Sequence, residues 1–135
     1  MKKNLCLLLC LVMLAGLCAC GKGEKEIKTH EVKSDLYSQA DIRAAIDVIE
    51  TEVSRDWKGC TLTEIYYAGD EMTAGFQHEA EWHDADEVIV LLSSFEVDST
   101  GGDGSLEPNH TYSGWDWILV RSQGGAWRHV DHGYG

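Results

Sequence analysis

One stretch leaves this chain little choice of architecture. From Asp86 to Val97 the residues are mostly apolar, and the side chains alternate in direction. Val88, Val90 and Leu92 point one way; Ile89, Leu91, Phe95 and Val97 point the other. Successive side chains of a strand lie on opposite faces of its sheet, so both faces of this strand must be dry. Such a strand is central in a sheet and covered on both sides, by the rest of its own chain or by a partner.

One cover is legible in the pattern. Ile42, Ile46, Ile49, Val53 and Trp57 recur at intervals of 4, 3, 4 and 4 residues, with Ala45 on the same side and Arg43, Asp47, Glu50 and Ser54 off it. This predicts an amphipathic helix over 39–57, opened by a Ser38/Asp41 capping box and closed near Gly59, a residue free to take positive φ. The helix is expected to cover one face of the central strand. Residues 72–84 have no clean period and predict a short helix or an irregular excursion after a turn at 68–71. Phe76 and Trp82 are its candidate contacts with the face that carries Ile89, Leu91, Phe95 and Val97. That arrangement favours a monomer with a small cleft over a dimer in which a second subunit covers the patch.

The remaining elements are read from composition along the chain. Thr61–Tyr67 is β-branched and aromatic, a strand. Residues 98–110 contain Gly101-Gly102-Asp103-Gly104 and the only proline, and form a loop. Thr111–Arg121 is a strand with Trp115, Trp117 and Leu119 on one face, Gly124-Gly125 turns the chain, and 126–132 returns. Helix first, then strands with short links, predicts an α+β domain: one long N-terminal amphipathic helix on an antiparallel sheet of about four strands.

The N-terminus locates the protein. Lys2 and Lys3 precede an uncharged, leucine-rich run from Leu5 to Ala19, too short for a membrane span and shaped like a secretory leader. Leu17-Cys18-Ala19-Cys20 reads as a lipobox, with small residues before the scissile bond and the Cys20 thiol as the acyl acceptor. Residues 1–19 are then a signal peptide, 20–36 a lipid-anchored flexible tether reaching about 50 Å if extended, and 37–135 one globular domain. The expected place is the extracytoplasmic face of the cell membrane. Removing the leader shifts the formal charge from −12 to −14 by loss of Lys2 and Lys3, which argues against nucleic-acid binding. Of the five cysteines only Cys60 would stay a free thiol, so no intrachain disulfide is expected.

Cys60-Thr61-Leu62-Thr63-Glu64, the run from Ala85 to Phe95, the Gly101–Asn109 loop and Trp115–Arg121 resemble uncharacterised small bacterial lipoproteins. The resemblance covers most of the domain and implies a cystatin-like or NTF2-like α+β fold. It carries no established activity, so no catalytic residue transfers, and the fold, which hosts both enzymes and binding modules, does not choose between them.

Several side-chain groups could carry chemistry. His78 and His83 imitate a zinc-protease motif, but their i, i+5 spacing sets them about 140° apart on a helix, where the working i, i+4 spacing gives about 40°. No metal or other cofactor is expected. His129 and Asp131 lie two apart in one strand and, with Asp116 across the turn, form a candidate acid–base cluster for a small hydrolase or isomerase. Asp98 and Asp103, with Glu107 and Asn109, place oxygens in the Gly-rich loop, in an order that does not fit a calcium hand. Trp115 and Trp117 belong to the core or line an aromatic cleft. The favoured reading is a binding domain for an unknown small ligand or protein, with Trp115, Trp117, Asp116, His129, Asp131, Asp98 and Asp103 as candidate contacts and no catalytic residue assigned.

Overall fold

The computed structural model describes residues 26–134; the expected signal peptide and the Cys20 lipobox lie outside the described residues. Helix α1 spans Gln39–Asp56 and buries Ile42, Ala45, Ile46, Ile49 and Val53, the stripe that the sequence spacing predicts. The Ser38 hydroxyl accepts from the Asp41 N–H at 3.1 Å, satisfying one of the donors that a helix start leaves free. At the other end Gly59 has φ +77°, and a Cβ there would come within 2.7 Å of the Thr100 hydroxyl. The strands are β1 (Cys60–Tyr67), β2 (Glu87–Val97), β3 (Thr111–Arg121) and β4 (Arg128–Tyr134). They form one antiparallel sheet in the order β1-β2-β3-β4. A long helix packed on a four-stranded antiparallel sheet is consistent with a cystatin-like or NTF2-like α+β fold.

The central strand is dry on both faces, but the covers are exchanged relative to expectation. Helix α1 lies on the face of Ile89, Leu91, Phe95 and Val97, together with Trp115, Trp117 and Leu119. The other face, Val88, Val90, Ile118 and Val120, is closed by two short helices, α2 (Asp70–Ala74) and α3 (Gln77–Trp82), through Ala80, Met72 and Phe76. Trp82 takes no part in that cover and is 73% exposed. The reason is steric: the tryptophan and phenylalanine rings on the first face need the wide aliphatic stripe of a long helix. The second face, built from valine and isoleucine, accepts two short turns closely apposed.

Three irregularities re-phase the strands. The register skips Thr63 in β1, Gly114 in β3 and Val130 in β4. Each extra residue reverses the facing of the residues after it; only Gly114, at φ +66°, adopts a positive φ. The β3–β4 turn centres on Gln123 and Gly124, both at positive φ, and closes with the Gly125 N–H on the Ser122 carbonyl at 3.0 Å. This is a type I′ turn, one residue earlier than Gly124-Gly125.

The segment before the helix is not free along its whole length. Lys28 exchanges two 2.9 Å backbone hydrogen bonds with Thr63 and Ile65 on the edge of β1, and Ile27 and Val32 pack on the core. Asp70 accepts from the Ser34 hydroxyl, the Asp35 N–H and the Tyr67 hydroxyl at 2.6–2.7 Å. The flexible tether expected over 20–36 is therefore held to the domain from residue 27 onward.

Candidate functional site: an aromatic cleft at the end of the helix

The C-terminal end of α1 and the 98–110 loop bound a cleft of about 440 Å³. Its walls are Trp57, Trp115, His132, Leu106 and Cys60, and its rim carries Asp56, Lys58, Asp103 and Ser105. Trp57 is the last residue of the helix stripe. Its ring meets Trp117 and His132 at 4.9 Å between centroids, steeply inclined to both. His132 stacks on Trp115 at 5.9 Å and 24°. Tyr112 and Phe95 complete the cluster from β3 and β2, stacked on each other at 5.2 Å. Edge-to-face and offset pairs of this kind add to simple burial.

Two buried polar atoms near this cleft lack an aligned hydrogen bond: Trp115 Nε1 and Glu52 Oε2. Phe95, Tyr112 and Trp57 surround the Trp115 ring at interplanar angles of 82–84° and offer its N–H no conventional acceptor. Glu52 Oε2 lies 2.6 Å from His129 Nδ1 in a charge contact off the N–H direction. His129 Nε2 faces the Asp131 carbonyl at 3.0 Å and His132 Nδ1 at 3.2 Å. A chain of groups thus runs from Glu52 on the helix through His129 to His132 on the cleft wall. Burial and the neighbouring His129 push the His132 pKa below its ordinary value, against the pull of Asp131 and Glu52. The Cys60 thiol is pushed up by burial and by Asp98 and Asp103, so it stays protonated and unreactive near neutrality.

The cluster expected from Asp116, His129 and Asp131 does not assemble. The Val130 bulge pairs His129 with Leu119 but Asp131 with Ile118. His129 therefore faces α1 while Asp131 shares the opposite face with Asp116. Asp116 is buried, 4% exposed, and its pKa is raised by burial first and then by Asp131. Trp117 is fully buried and gives its N–H to the Ser93 hydroxyl at 2.7 Å; it is a core residue. Trp115 lines the cleft. Asp103 stands on the rim and turns one oxygen back to the Ser105 N–H at 2.9 Å, as Asp98 does to Thr100. Both are turn-forming carboxylates.

Among the described residues no three or more His, Cys, Asp or Glu side chains are gathered as a metal site would need. His78 and His83 come 3.4 and 3.6 Å from the two oxygens of Glu79, held apart on either side of it. Residue-pattern reasoning missed Glu52 and His132. Glu52 flanks the apolar stripe one residue before Val53, the position from which a long side chain reaches back over the sheet, and this was the available signal. No family model, curated protein or solved structure matches the chain.

Proposed function

We propose that the protein is a lipid-anchored extracytoplasmic binding module, attached to the membrane through Cys20, whose ligand site is the cleft between Trp57, Trp115 and His132. The observation that carries the binding reading is the cleft itself. It is concave, aromatic-walled and rimmed by a few polar groups, the usual make-up of a small-molecule site. The anchoring reading rests on Leu17-Cys18-Ala19-Cys20 behind a leucine-rich leader, since two acyl chains hold a protein stably at a bilayer where one does not. What supports a non-enzymatic role is that Asp116 and His129, the candidate hydrolase residues, occupy opposite faces of the sheet.

Two measurements test this. Metabolic lipid labelling with detergent phase partition should place the wild type in the detergent phase and Cys20→Ser in the aqueous phase. An unlabelled mature chain beginning elsewhere rejects the anchor. A fragment library screened by NMR should shift the Trp57 and Trp115 indole resonances together. Hits clustering at another surface, with the cleft silent, reject the site.

A further inference from the structure

We propose that the domain is held with its cleft end toward the bilayer, so that the partner this end faces is the lipid surface. The inference rests on the Cys20 anchor and specifies where the cleft works.

The direction in which the chain enters the domain decides which end is lower. The Lys28 N–H donates to the Thr63 carbonyl and the Ile65 N–H to the Lys28 carbonyl, which pairs Lys28 with Glu64 in parallel. Two further contacts extend that pairing. The His30 ring centroid lies 4.3 Å from that of Tyr66, and the Ser34 hydroxyl donates to Asp70 at 2.6 Å. Contacts of 28 with 64, 30 with 66 and 34 with 70 keep one offset, so the arm runs beside β1 and in the same direction. The chain before Lys28 therefore approaches from the Cys60 end of the strand, and Ile27 seats that approach on the core.

The Cys60 end is the cleft end. Cys60 lines the cleft and pairs with Val97, the last residue of β2. The opposite end carries the start of β2, the β3–β4 turn and the start of α1, since Glu87 pairs with Arg121 and Arg121 reaches Asp41. Strand β2 joins the two ends over 11 residues, about 36 Å at the usual rise.

The chain outside the domain is short against that length. Seven steps separate Cys20 from Ile27, a reach of at most about 25 Å. An acylated Cys20 thus keeps the cleft end near the headgroups and holds the far end away. Were the arm loose as far as Tyr37, 17 steps would reach about 60 Å, and the chain would join the domain at the far end, where α1 begins. Pairing the arm along β1 reverses that polarity.

The test uses the full acylated chain in phosphatidylcholine nanodiscs that carry a few lipids with a gadolinium chelate on the headgroup. Amide NMR signals of the 101–105 loop should broaden several-fold more than those of the 123–125 turn. Lys28→Pro removes the donor to Thr63 and should shrink that difference while the core signals stay in place. If this variant unfolds, a Gly/Ser insertion of roughly ten residues after Gly23, which lengthens the reach without touching the domain, should weaken the loop broadening. Equal broadening at both ends, stronger broadening at the turn, or a difference that neither variant changes overturns the inference and leaves the anchor standing. A wild-type chain that stays out of the discs, as Cys20→Ser should, overturns the anchor and the inference with it.

Discussion

Helix α1 ends in two aromatic clusters that solve the same packing problem differently. At its N-terminal end Arg121 is 10% exposed at its side chain and reaches Glu87 at 2.6 Å and Asp41 at 3.0 Å. Its guanidinium lies 4.3 Å from the Trp127 ring centroid, while Trp127 gives its N–H to the Asp41 carbonyl at 3.1 Å and the Tyr37 hydroxyl donates to the Val88 carbonyl at 2.6 Å. Each of these polar groups is answered, and burial holds the Tyr37 pKa at about 12. At the C-terminal end Trp57, Trp115 and His132 pack around a hollow, and Trp115 Nε1 and Glu52 Oε2 go without aligned partners. A satisfied network contributes stability and one conformation; unsatisfied groups beside a cavity cost stability. The contrast gives the first end a holding role and supports the binding role proposed for the second.

The largest effect should come from between the two ends. Leu91 is fully buried under the helix, so Leu91→Asp should abolish folding, because a carboxylate there has no partner. Sedimentation of the wild type should show a monomer. A tight dimer that this substitution splits into folded monomers would mean the helix is not the true cover.

Next comes the closed end. Arg121→Ala should cost about 2 kcal/mol in chemical denaturation at neutral pH, by breaking a partly buried charge network and a cation–π contact. The hydrogen bond from Arg121 holds the Asp41 carboxyl below its usual pKa. A depressed carboxylate stabilises the fold above the ordinary aspartate range and loses that contribution as pH falls through its lowered pKa. The gap between wild type and Arg121→Ala should therefore narrow in acid. A gap independent of pH would show that packing, not charge, closes this end.

The far face of the sheet supplies a smaller effect of opposite sign. Asp116 has a raised pKa, so its ionisation is penalised in the fold, increasingly as pH climbs from the ordinary aspartate value through the raised one. Asp116→Asn should stabilise the protein by about 1 kcal/mol at neutral pH, with the advantage fading in acid. Loss of stability in this variant would mean that the hydrogen bond from the Gly133 N–H to the carboxylate outweighs its burial.

The smallest change belongs to the open end. His132→Phe should leave stability within about 0.5 kcal/mol of wild type by thermal unfolding, against the several-fold larger loss at Arg121. Comparable losses at both ends would dissolve the contrast.

The helix was legible because its stripe repeats at the helical period for five residues and a cap precedes it. Strand β2 was legible because an uninterrupted apolar run has few alternatives, and Trp115, Trp117 and Leu119 share a face because that part of β3 alternates without a break. What escaped lies beyond the bulges. The sequence contains nothing at Thr63 or Val130 to mark an extra residue, yet the Val130 bulge alone turns His129 away from Asp131 and toward Glu52. Which cover took which face was equally undecided by pattern, since both faces of β2 are apolar and period says nothing of ring size. By itself, then, the sequence determined the amphipathic helix, the two-faced strand and the aromatic supply of the core. Only the tertiary structure decided the faces and the cleft, because bulge position and cover are set by how bulky rings pack against a distant helix, an interaction that no local periodicity encodes.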